Sequence, residues 1–66
     1  MKITINGQTK EFNSETNLHH VIEQFSKNTS RVIAEVNGNI IKSQQWQQIS
    51  VKDGDSIELV SFVGGG

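Results

Sequence analysis

Asp53-Gly54-Asp55-Ser56-Ile57-Glu58-Leu59-Val60-Ser61-Phe62-Val63-Gly64-Gly65-Gly66, residues 53–66, sets the fold of this 66-residue chain. Asp-Gly-Asp reads as a turn, because Asp and Gly both tolerate positive φ. Ile57 and Leu59 then alternate with Glu58, the period-two signature of a half-buried strand. Three glycines close the stretch. Glycine has no Cβ and the widest backbone freedom, so a glycine run is thin enough to enter a narrow channel. At ~3.3–3.6 Å per residue it reaches on the order of 10 Å past the body. The plainer alternative is an unstructured terminus.

The remaining internal glycines also follow Asn, in Asn6-Gly7 and Asn37-Gly38. These pairs mark tight hairpin turns. Ahead of the first, Met1, Ile3 and Ile5 alternate with Lys2 and Thr4; behind it, Thr9 to Phe12 returns as the second arm. The period then changes. Leu18, Val21, Ile22 and Phe25 fall at i, i+3, i+4 and i+7, which places them on one face of a helix. Thr16 or Asn17 caps its start, and Asn28, Thr29 and Ser30 end it. Val32 to Val36 is a third strand, turning through Asn37-Gly38 into a short arm at Ile40-Ile41. Ser43 to Gln48 is polar around Trp46 and reads as irregular or a single turn. Ile and Val supply fourteen residues and Leu two, a bias toward pleated surfaces.

The order is strand, strand, helix, strand, short strand, strand. One helix covers one face of a sheet. The first and last strands pair as parallel neighbours, with the intervening elements as the crossover that parallel pairing needs. The expected fold is α+β, a β-grasp: a mixed sheet of four to five strands with the helix across one face. The domain is expected to span residues 1–61, with 62–66 as a flexible tail.

Composition narrows the function. The chain has no Cys, which excludes disulfides and thiolate zinc sites. Six Lys and Arg against seven Asp and Glu give a net charge of −1, no surplus to neutralise phosphates, so nucleic acid is not an expected partner. No apolar run approaches the ~20 residues of a membrane span, and no signal segment opens the chain. A cytoplasmic address is expected. No acid–base pair or nucleophile stands out, so an enzyme acting alone is disfavoured.

Taken together, Ile5-Asn6-Gly7, Glu35-Val36-Asn37-Gly38, Ser43 to Trp46 and above all residues 53–66 resemble the ThiS family, the ubiquitin-like sulfur carriers of thiamine biosynthesis. The resemblance covers essentially the whole chain. It implies a protein that is not an enzyme and needs no cofactor. An adenylyltransferase of the E1-like family would use ATP to turn the C-terminal carboxylate into an acyl-adenylate. A sulfur donor protein carrying a persulfide would displace AMP and leave a thiocarboxylate. Thiazole synthase would take that sulfur into the thiazole ring. Mapped here, Gly66 is the residue modified. Gly65 and Gly64 form the thin tail that carries it into partner active sites. Adenylation suits the task, because it supplies the leaving group that a carboxylate lacks. Two alternatives share the fold: a sulfur-carrier subunit of the molybdopterin type, and a ubiquitin-like modifier of lysines. A binding module without covalent chemistry is a third.

Phe62 and Val63 either finish the core or form an apolar anchor for a partner at the root of the tail. Trp46 reads as a satellite packing residue. His19 and His20, adjacent on a helix, point a quarter turn apart and read as solvated. Asp53 and Asp55 read as turn formers. Glu35 and Glu58 read as a solvated strand face, or as charge presented to a basic partner.

Overall fold

A computed structural model describes residues 1–62. Strands β1 (Lys2–Ile5), β2 (Gln8–Glu11), β4 (Val32–Val36), β5 (Asn39–Ile41) and β7 (Ser56–Ser61) form one sheet in the order β2-β1-β7-β4-β5. Strands β3 (Thr16–Asn17) and β6 (Ser50–Val51) form a separate two-stranded ladder. Helix α1 (Leu18–Phe25) follows β3 directly. β1 and β7 run parallel, pairing Thr4 with Ser56 and Ile5 with Ile57, while the hairpin pairs β1–β2 and β4–β5 are antiparallel. This is the expected mixed sheet, with β7, the last strand, at its centre.

Both Asn-Gly turns have the geometry their sequence demands. Asn6 and Gly7 sit at φ 50° and 80°, and Asn37 and Gly38 at 52° and 88°. Such paired positive φ values match the twist of the flanking strands.

The core gathers Ile3, Leu18, Val21, Ile22, Val32, Ala34, Trp46, Val51, Ile57 and Leu59. Alternation sends Ile57 and Leu59 inward and Glu58 outward, as the sequence predicts. Burying each large aliphatic contributes ~1.5–3 kcal/mol. An eight-residue helix is marginal alone, so α1 depends on Leu18, Val21 and Ile22 seated on the sheet. Asn17 is its cap: the Asn17 side chain accepts from the His20 N–H at 2.8 Å.

Three local readings change. Phe25, the last residue of α1, is half exposed rather than buried; the helix stops there, and its ring lines a groove with Phe12, Val21 and Gln24. Trp46 is a core residue, not a satellite. The six-residue 3-10 helix Ser43–Gln48 folds it inward, and its indole N–H donates to the Ile41 carbonyl at 3.0 Å. His19 stacks over it with ring centroids 6.3 Å apart and reaches toward Glu23, so it covers the tryptophan rather than standing free in solvent.

Candidate functional site

β7 is the strand that leads to the glycines, and the rest of the fold is organised to hold it. Parallel pairing with β1 stops at Ile57. Beyond that point Asn6 takes over: its Nδ2 donates to the Leu59 carbonyl at 3.1 Å, and its Oδ1 accepts from the Leu59 N–H at 2.8 Å. One side chain thus supplies both bonds that another strand residue would have made. The start of β7 is fixed in the same way. Asn37 Oδ1 accepts from the Ser56 N–H at 2.9 Å, and Asn37 Nδ2 donates to Asp55 at 3.1 Å.

The acidic turn before β7 uses both carboxylates as acceptors for backbone N–H groups. Asp53 accepts from the Lys2 N–H at 2.6 Å, and Asp55 from the Lys52 N–H at 2.8 Å. Asp55 braces the turn itself, as the sequence indicated, whereas Asp53 sits in the turn but its carboxylate ties it to the start of β1. Among the described residues, no group of three or more His, Cys, Asp or Glu is placed to hold a metal ion.

On its other edge β7 pairs antiparallel with β4, from Val36–Ile57 to Val32–Ser61. The ladder runs one bond further, because the Phe62 N–H donates to the Arg31 carbonyl at 3.0 Å. Phe62 therefore has a fixed backbone, while the residue is 45% exposed. It does not finish the core. Val63, Gly64, Gly65 and Gly66, the other residues singled out in the sequence, lie outside the described residues.

Sequence reasoning read Asn6 and Asn37 only as turn residues. Their second task leaves a faint signal. Asp or Gly would serve such a turn equally well, but of these three only Asn carries both a donor and an acceptor on its side chain.

The fold and sequence both have close counterparts. The chain superimposes on the crystal structure of a thiamine biosynthesis protein (ThiS) from Geobacter metallireducens, with a TM-score of 0.84, 28% identity and full coverage of both chains. It is 30% identical over the full length of both chains to the sulfur carrier protein ThiS of Escherichia coli. It is 32% identical over its whole length to part of a thiazole synthase from Paramagnetospirillum magneticum, of which it spans 20%. A family model for the ThiS family matches residues 3–66. With the β-grasp sheet, the single helix and a match over nearly every residue, the chain belongs to the ThiS family of sulfur carrier proteins in thiamine biosynthesis.

Proposed function

We propose that this protein is a cytoplasmic carrier, not an enzyme, whose Gly66 carboxylate is the reactive group. An E1-like adenylyltransferase joins that carboxylate to the α-phosphate of ATP, forming the acyl-adenylate and releasing pyrophosphate. A persulfide-bearing donor protein then displaces AMP to form an acyl disulfide; a thiol attacks the donor's sulfur, forms a disulfide with it and releases the terminal thiocarboxylate, whose sulfur thiazole synthase consumes. Residues 1–61 act as the handle and residues 62–66 as the arm. Gly65 and Gly64 keep the arm thin, and Val63 and Phe62 form its root.

The observation that carries this reading is the span of the family match, which runs through Gly66. The described residues add two supports. β7 is held on its β1 side as far as Leu59 and on its β4 side up to Phe62, which gives the arm a fixed starting point. The P. magneticum relative joins a matching region to the rest of a thiazole synthase in one chain, as two proteins that work on the same sulfur would allow.

The test is the intact mass after incubation with ATP, a sulfur donor and the adenylyltransferase. Exchange of one oxygen for sulfur is expected in the full-length chain, and no change in a chain lacking Gly66. Replacing Gly65 by Trp should also block loading, because a bulky side chain closes the channel to the arm. An unchanged mass, with the enzyme active on another carrier, overturns the reading; higher-mass conjugates would make the protein a modifier instead.

A further inference from the structure

The two Asn-Gly pairs, Asn6-Gly7 and Asn37-Gly38, carry a chemistry of their own. The glycine nitrogen of such a pair can attack the asparagine Cγ. The new N–Cγ bond closes a cyclic imide, the Cγ–Nδ2 bond breaks, and the side-chain nitrogen leaves as ammonia with the proton from the glycine N–H. Water then opens the imide at either carbonyl and leaves aspartate or isoaspartate. Glycine favours the attack because no Cβ crowds its nitrogen. Both glycines are exposed, with open space where a Cβ would stand, so burial shields neither turn.

Hydrogen bonds shield both. The attack needs Cγ to swing over the glycine nitrogen, and in each turn both polar atoms of the carboxamide are held elsewhere. Asn6 is bonded through Oδ1 and Nδ2 to Leu59, and Asn37 through Oδ1 to Ser56 and through Nδ2 to Asp55. The backbone N–H groups hold the same strand: that of Asn6 donates to the Ile57 carbonyl at 2.9 Å, and that of Asn37 to the Ser56 carbonyl at 2.8 Å. Each labile residue thus reacts only when its part of β7 lets go. The two locks differ in strength. The side-chain bonds of Asn37 are exposed and those of Asn6 partly buried, so Asn37 opens at lower cost.

We propose that Asn37 and Asn6 are spontaneous deamidation sites that react in that order, each gated by release of β7, and that conversion at Asn37 hastens conversion at Asn6. The products undo the bonds that delayed them. A carboxylate at residue 37 takes the place of the amide that meets Asp55 at 3.1 Å, and two carboxylates at that distance repel. The start of β7 is then less firmly held, which lowers the cost of opening further along. At residue 6 the donor to the Leu59 carbonyl becomes a second acceptor, and β7 loses its clamp beside the arm. The reaction needs only water, so the inference stands apart from the carrier reading.

The full chain, held in warm, mildly alkaline buffer, tests this. Peptide mapping by mass reads the exchange of NH2 for OH at each asparagine, beside synthetic peptides of the two turns and the chain in denaturing urea. In peptides and urea the two sites should react at similar rates. In the folded chain Asn37 should react roughly tenfold or more slowly than its peptide, and Asn6 more slowly again. Sucrose, which favours the closed state, should slow both sites in the folded chain and leave the peptides unchanged. Asp55→Ala removes the acceptor for Asn37 Nδ2 and should speed reaction there. Asn37→Asp should melt below the parent and react several-fold faster at Asn6. Folded-chain rates equal to the peptide rates, or Asn6 reacting first, overturn the gate. An Asn37→Asp chain that is folded yet reacts no faster at Asn6 overturns the coupling between the sites.

Discussion

Asn6 carries two demands in one side chain, and its substitutions can separate them. It adopts φ 50° in the turn, and it satisfies both the N–H and the carbonyl of Leu59. Asn6→Gly keeps the backbone freedom and removes both bonds. With two partly buried groups left unpaired, a loss of about 1–3 kcal/mol is expected. Asn6→Ala adds the cost of a Cβ at positive φ, roughly another 1–2 kcal/mol. Urea unfolding of both variants reads these values, and a neutral glycine variant would mean that the Leu59 bonds contribute nothing. At the heart of the sheet, Ile57 is fully buried. Ile57→Ala should cost about 2–5 kcal/mol in the same measurement, from lost transfer energy and the cavity left behind. The two residues were not equally legible. Ile57 announces itself by alternation, whereas the bonds of Asn6 join positions 53 residues apart, which no local pattern reveals.

Elements that repeat a period were readable; elements held by single long-range contacts were not. β4 shows its alternation over Val32–Val36, and the sequence places it at those residues. α1 announces its buried face through Leu18, Val21 and Ile22, but not its end. Phe25 continues the apolar spacing, yet the Ser26 N–H closes the last turn on Ile22 and the chain becomes extended there. β3 and β6 escape altogether, because two residues are too few to show a period. The ladder they form still matters: it pairs Thr16 with Val51 and Asn17 with Ser50, and so fixes the residue that caps α1. The start of α1 is accordingly the sensitive end. Asn17→Ala removes the bond to the His20 N–H and should lower stability by about 1 kcal/mol. Thermal melts check this, with Asn17→Ser expected to recover most of the loss; equal losses in both variants would point to the β3–β6 ladder instead of the cap.

At the scale of the whole molecule, the proposed function puts stability and chemistry in different parts of the chain. Among the described residues, every buried core side chain lies between Ile3 and Leu59, and the last strand closes at Ser61. The glycines that the sequence marks as the working end add no Cβ and no apolar side chain to that core. Their reading rested on resemblance, because a run of glycines has no side-chain chemistry from which a role can be derived. The division has a measurable consequence. Removing residues 63–66 deletes Val63 and three glycines and leaves in place each core residue among those described. For a domain of this size, 1 kcal/mol corresponds to roughly 4–8 °C in melting temperature. The truncated chain should therefore melt within about 4 °C of the parent by circular dichroism, while sulfur loading falls to zero. A larger drop would show that the terminal residues pack against the domain. The arm would then have to detach before entering a partner, and its reach would be shorter than the extended estimate of ~3.3–3.6 Å per residue.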